Sequence, residues 1–236
     1  MNFTCCAVYN DGRASYFFDK IYECVSWCSI VDESHIKVAA SWLDGVGTTL
    51  SAIGNTPIQF VSEQFLFNID LVGDVMQANS AAILADLEEE YNLSKIGNMI
   101  DSSGNVTEIA GNVMRFPDFT YSGNAIQTVG TGLTFVDALM VQETYLDLYY
   151  IYGSLIQTIG LSLQTLAGKF PLGNKFGERL NTIGTWIQAV GSNIEAIGVT
   201  LKFSHAQKPT AIGYGAVGFL FLYKNGVATK PYPAVV

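Results

Sequence analysis

Four cysteines fall within the first 28 residues, and the chain holds only two histidines, His35 and His205. Cys24 and Cys28 are four apart and would share one helix face, whereas Cys5 and Cys6 are adjacent. Neither pair has the two-residue spacing of zinc sites, and the nearest imidazole is His35, so no metal centre is expected. The default for such thiols is inert burial, with cross-linking between copies through Cys5, Cys6, Cys24 and Cys28 as the chemistry they could perform. Asp70 and Asp74 would share a helix face as a paired-carboxylate hydrolase requires, but like charges at this spacing are expected to be solvated. Glu88-Glu89-Glu90 reads as a solvated helix end. Asp101-Ser102-Ser103-Gly104-Asn105 lacks the alternating ligands and closing Glu of a calcium loop. Gly213-Tyr214-Gly215-Ala216-Val217-Gly218 fits a dinucleotide fingerprint by letters only, without the strand that must precede it. No Ser or Cys sits in a nucleophile motif. The expectation is a non-enzyme with no catalytic residues, no cofactor and no metal.

Composition points the same way. Of 236 residues, 49% are apolar and 14% charged, with a net charge of −9. That excludes a disordered chain, and it excludes nucleic acid as a partner, which would demand a basic surface. Residues 1–152 carry a net −14 and residues 153–236 a net +5, an asymmetry suited to holding two halves together or to association of copies. Met1 is followed by neither a basic nor a long apolar leader, so no signal peptide is expected.

The elements that must position any function are long helices. One is expected over 34–53, ending at Gly54-Asn55. Thr56-Pro57-Ile58-Gln59 reads as the capping box of the next, which runs to Glu90 or breaks near Asn79. A third is expected over 94–114, ended by Arg115-Phe116-Pro117. A long helical segment covers 122–167 and closes at Gly168 and Pro171. The last helix spans 174–203. Short β-hairpins are candidates at both termini, around Asn10-Asp11-Gly12 and Lys224-Asn225-Gly226. This divides the chain into a Cys-containing segment (1–33), a helical bundle (34–208) and an apolar tail (209–236).

Glycine recurs every seven residues: Gly177, Gly184, Gly191 and Gly198 in the last helix, Gly153 and Gly160 before it, with shorter runs at 47/54, 97/104/111 and 123/130. Fixed-period self-similarity marks repeated packing units. Plotted as a helix, 174–203 gathers Leu, Ile and Val on one side. The glycines lie at the border of that stripe, and Asn181, Thr185, Gln188, Ser192 and Asn193 lie opposite. Each mid-helix glycine costs about 1 kcal/mol relative to alanine, which close approach of a second helix would offset. A seven-residue period favours left-handed, coiled-coil-like association. The fold class expected is therefore mainly α: an antiparallel bundle of long amphipathic helices meeting along glycine seams.

Residues 148–168 are uncharged for 21 positions, long enough to cross a bilayer core. Yet Ser154, Gln157, Thr158, Ser162, Gln164 and Thr165 form one polar arc. A single lipid-facing span would not keep such a face, whereas a bundle helix or a pore-lining helix would. The phrases Ile156-Gln157-Thr158-Ile159-Gly160 and Trp186-Ile187-Gln188-Ala189-Val190-Gly191 resemble uncharacterised glycine-heptad repetitive proteins of Bacillus-type spore-forming Firmicutes. The resemblance implies a structural or envelope-associated role and carries over no functional residues. The reading from sequence is a structural, self-assembling helical protein, partnered by its own copies and either cytoplasmic or spore- or envelope-associated. The alternative is a helical pore-forming or membrane-associating protein.

Overall fold

The computed structural model describes residues 33–206; the four cysteines and both terminal hairpin candidates lie outside them. Six α-helices fill this range: α1 (Glu33–Gly54), α2 (Glu63–Leu87), α3 (Leu93–Met114), α4 (Pro117–Met140), α5 (Asp147–Ala167) and α6 (Lys175–Ala206). Each packs on its neighbours in the chain, and α6 packs back on α1. Among the described residues no other pair of helices makes backbone contact, so these six helices form a closed ring. One rim carries the loops after α1, α3 and α5. The opposite rim carries the loops after α2 and α4, with the start of α1 and the end of α6.

Local signals set most of the ends. Asn92 caps α3 by accepting from the Lys95 N–H at 2.7 Å, and Ser62 caps α2 by accepting from Phe65. Arg115 ends α3 in a left-handed conformation, and the Phe116 N–H then bonds the Gly111 carbonyl at 2.8 Å. Two boundaries differ from expectation. Thr56 does not start a helix: its hydroxyl donates back to the Ala52 carbonyl at 2.7 Å, so it finishes α1, and α2 begins only at Glu63. The helical segment expected over 122–167 is two helices. Asp147 folds back to accept from the Glu143 and Thr144 N–H groups, fixing a turn over 141–146 that contains neither Pro nor Gly. α2 runs through Asn79 without a break.

The ring closes through long-range polar contacts between α1 and α6. Asn181 Nδ2 donates to Asn55 Oδ1 at 2.8 Å, and Asn193 Nδ2 donates to the Gly45 carbonyl at 3.1 Å. Trp186 and Trp42 donate to Thr56 and Thr200, one toward each rim.

Within the ring the three hairpins α1–α2, α3–α4 and α5–α6 share one construction. Glycines face each other across the antiparallel pair: Gly47 with Gly73, Gly97 with Gly130, Gly104 with Gly123, Gly153 with Gly191 and Gly160 with Gly184. A methyl at Gly160 would lie 2.5 Å from the Gln188 nitrogen and 2.6 Å from the Gly184 oxygen. Of the remaining seam candidates, Gly177 abuts Phe170 and the Ala167 carbonyl, and Gly198 abuts Tyr149.

Candidate functional site

The side chains are distributed in the opposite sense to that of a water-soluble bundle. Among the described residues nineteen buried polar or charged side chains outnumber thirteen buried apolar ones, and nine of those thirteen are alanine. The large apolar residues lie outside: Val46, Val75, Val106, Val129, Ile159 and Val190, one from each helix, are all more than 40% exposed. On α6 the polar positions Thr185, Gln188 and Ser192 face inward, while Ile183, Trp186, Val190 and Ile197 face out. The stripe that would form the core of a soluble bundle is thus the outer surface here.

The seam glycines explain how the polar residues fit. Where a glycine stands on one helix, the stem of an inward polar side chain from its partner crosses it. Gln127 Cγ would meet a methyl at Gly104 at 2.6 Å, and Gln164 Cγ one at Gly184 at 2.8 Å. Gln157 Cγ would do so at Gly191 at 2.7 Å. The glycine seam and the polar interior are one feature: removing one side chain makes room for the root of a longer one.

Inward polar groups form a hydrogen-bonded chain that engages all six helices. Gln164 (α5) donates to Gln188 (α6) at 2.7 Å, Gln188 to Gln77 (α2) at 2.9 Å, and Gln77 to Ser51 (α1) at 3.0 Å. Ser51 donates to Asp74 Oδ1 at 2.8 Å, Asn112 (α3) donates to Asp74 Oδ2, and Thr120 (α4) donates to Asn112 Oδ1. Each donor finds an acceptor, and the chain converges on a carboxylate. Such satisfied networks fix register, because a half-made one costs more than none.

Six carboxylates line the same interior. Asp70, Asp74 and Glu108 form one group and Asp44, Asp101 and Glu195 a second, each close enough to repel its neighbours. Asp74 is buried and the other five are half-buried. Their partners are neutral. Glu108 accepts from Gln127 at 2.6 Å, and Asn124, with its amide turned to suit, donates to Glu108 at 3.0 Å. Gln157 and Ser154 stand beside Glu195, and Ser192 beside Asp44. The ion pairs among the described residues, Lys37–Glu88 and Lys202–Asp147, lie at one rim and include none of the six. The Asp70–Asp74 pair, expected to be solvated on a surface, is therefore part of the interior. Asp101 and Asn105 stand on helix α3 and not in a loop. At the rim of the α1–α2 loop, a cavity of about 290 Å³ opens over Asp70, Glu108, Asn112, Thr120, Tyr121 and Asn181, with Arg115 at its edge. A smaller one, about 30 Å³, reaches Asp44, Asn98, Tyr150 and Glu195 from the other end.

Charge on the outside is confined to the rims. Apart from the six interior carboxylates, every Asp, Glu, Lys and Arg within a helix stands within five residues of that helix's end. Among the described residues the outer belt between the rims carries no charge. Residues 35–196, which include five helices almost whole and most of the sixth, match a family of unknown function, DUF6944. The chain belongs to this family. No curated protein and no solved structure matches it. The DUF6944 match covers the ring and stops before the end of α6.

Sequence reasoning located the glycines but not the carboxylate-lined interior, although the signal was present. In nearly every seam heptad the residue one after the glycine is polar, and so is the residue four after it. Gly73 is followed by Asp74 and Gln77, Gly104 by Asn105 and Glu108, Gly123 by Asn124 and Gln127, and Gly191 by Ser192 and Glu195. At Gly160 the following residue is Leu161, which is fully buried.

Proposed function

We propose that this chain is a non-enzymatic, membrane-embedded helical ring whose polar interior forms a path or chamber across the bilayer, the pore-forming reading of the sequence. The observation that carries it is the uncharged apolar belt around all six helices, bounded at both rims by charged residues. Lipid covers every side of a ring at once. Closed assembly of copies covers selected faces and leaves the others wet. Helices of 21 to 32 residues extend about 32 to 48 Å, enough for a hydrocarbon core of about 30 Å.

No helix among the described residues is long and apolar enough to cross a membrane by its own average hydropathy. That average mixes two faces. In a ring only the outer face meets lipid, and ionisable residues are tolerated where they face a polar interior. β-Barrels of the outer-membrane type are weak in hydropathy for the same reason.

The exposed apolar face also favours a second reading, the structural one, in which many copies cover one another in an extended assembly. Flotation separates the two. Full-length protein refolded from mild detergent into liposomes is expected to rise with the lipid through a density gradient and to resist alkaline extraction. Protein that stays at the bottom as lipid-indifferent oligomers, sized by chromatography with light scattering, would favour self-assembly and contradict insertion.

A further inference from the structure

The interior is rich in acceptors and poor in cations. Six carboxylates share it, Asp74 and Glu108 accept from the neutral Ser51, Asn112 and Gln127, and among the described residues no Lys, Arg or His makes an ion pair with any of the six. Uncompensated charge in such surroundings is costly, so the charge must be met by something other than these side chains.

A second observation lies between the two acidic groups. Asn105 is 1% exposed, and its Nδ2 donates to the Asp101 carbonyl at 3.0 Å. Its Oδ1 is buried and has no hydrogen-bond partner, the one such side-chain atom among the described residues. An orphaned acceptor at this depth costs about 1–3 kcal/mol unless something positive or protic reaches it. Asn105 stands four residues after Asp101 and three before Glu108, so all three lie on one face of α3, with each carboxylate about one helical turn from Asn105. That face turns inward, with Asn98 one heptad below and Asn112, in the hydrogen-bonded chain, one heptad above.

We propose that the interior holds a monovalent metal cation at Asn105, with the amide oxygen as a direct ligand and Asp101 and Glu108 on either side supplying the negative field. This deepens the preceding reading and rests on its polar interior, though not on the bilayer. The chemistry selects charge and valence. The surrounding carboxylates repel anions. Among the described residues no three His, Cys, Asp or Glu side chains converge closely enough to hold a metal ion together, and tight divalent sites need several charged oxygens in one shell. A neutral amide oxygen between separated carboxylates suits a weakly charged ion. Its entry would be from the cavity over Asp70 and Glu108, which reaches Glu108, three residues from Asn105 on the same helix.

The test uses the full chain in mild detergent, with radiolabelled rubidium in equilibrium dialysis. Melting is followed in parallel in rubidium chloride and in N-methylglucamine chloride at equal ionic strength. Saturable rubidium binding and a higher melting temperature in rubidium are expected. Asn105→Leu should weaken binding by about tenfold or more and remove the salt difference. Asn105→Asp, nearly the same shape, should bind at least as tightly, and it keeps the test decisive should the leucine variant fail to fold. Absence of saturable binding in the parent, equal melting in both salts, or undiminished binding by a folded Asn105→Leu variant would overturn the site and leave protonation as the answer to the buried charge. Saturable binding by protein that does not float with liposomes would leave the cation site standing and refute the membrane reading alone.

Discussion

Gly160→Ala is expected to destabilise the ring by on the order of 3 kcal/mol, the upper range for overpacking, although alanine is the better helix former. The new methyl would meet the Gln188 nitrogen at 2.5 Å and the Gly184 oxygen at 2.6 Å. Both are backbone atoms and cannot rotate away, so α5 and α6 would have to separate. Separation withdraws Gln164 from Gln188 and opens the hydrogen-bonded chain at its first link. Gly132→Ala is the matched control. Its methyl would find only Thr158 Cγ2 at 3.9 Å, an ordinary contact, and the substitution should gain up to about 1 kcal/mol from helix propensity. Denaturant or thermal melting of the two variants in mild detergent reads the difference directly. The double variant Gly184→Leu/Gly191→Leu should fail to form the ring. If it melts like the parent, the seams do not hold the hairpins together.

The second large effect concerns the outer belt. Val75→Lys, Val129→Lys and Val190→Lys place one charge on each of three alternate helices, near mid-length and on exposed positions. A lysine at the centre of a spanning helix costs roughly 3 kcal/mol. The triple variant is therefore expected to lose flotation with liposomes while keeping its helical content, because a lysine stem can cover the same half-exposed positions. Were the belt to face water, these changes would be worth within about 0.5 kcal/mol each and would only improve solubility. The same substitutions thus have large effects in one environment and negligible ones in the other.

The helices were legible in sequence because their ends carry strong local chemistry: the Gly54-Asn55 stop, the Arg115-Phe116-Pro117 break and the seven-residue glycine rhythm. The turn at 141–146 was not, because it is held by the Asp147 carboxylate and by Lys202 from the far end of α6. The Lys202 contact is defined only once α5 and α6 pack as a hairpin. The glycine spacing predicted close approach, and the pairs Gly153/Gly191 and Gly160/Gly184 do lie against each other. Which face pointed inward could not be read from amphipathicity, because a helix wheel has the same contrast whether water lies outside or inside. What breaks the symmetry is the position of charge. Asp44, Asp101, Glu108 and Glu195 occupy mid-helix positions on the polar face, where a soluble bundle would show both signs of charge, and no Lys or Arg accompanies them. The interior is acidic and glutamine-rich because each long polar side chain needs a facing glycine to pass. Seam and lining are therefore written in the same heptads.

Nitroxide labels at Val129, Ile159 and Val190, compared with one at Gln157, give the most direct measurement in liposome-reconstituted protein. Oxygen, which partitions into lipid, should relax the three outer labels strongly, and a water-soluble nickel chelate should not, while the inner label should be shielded from lipid-borne oxygen. Outer labels that respond to nickel as surface sites do, in protein that has bound the vesicles, would contradict an outward-facing apolar belt in contact with lipid.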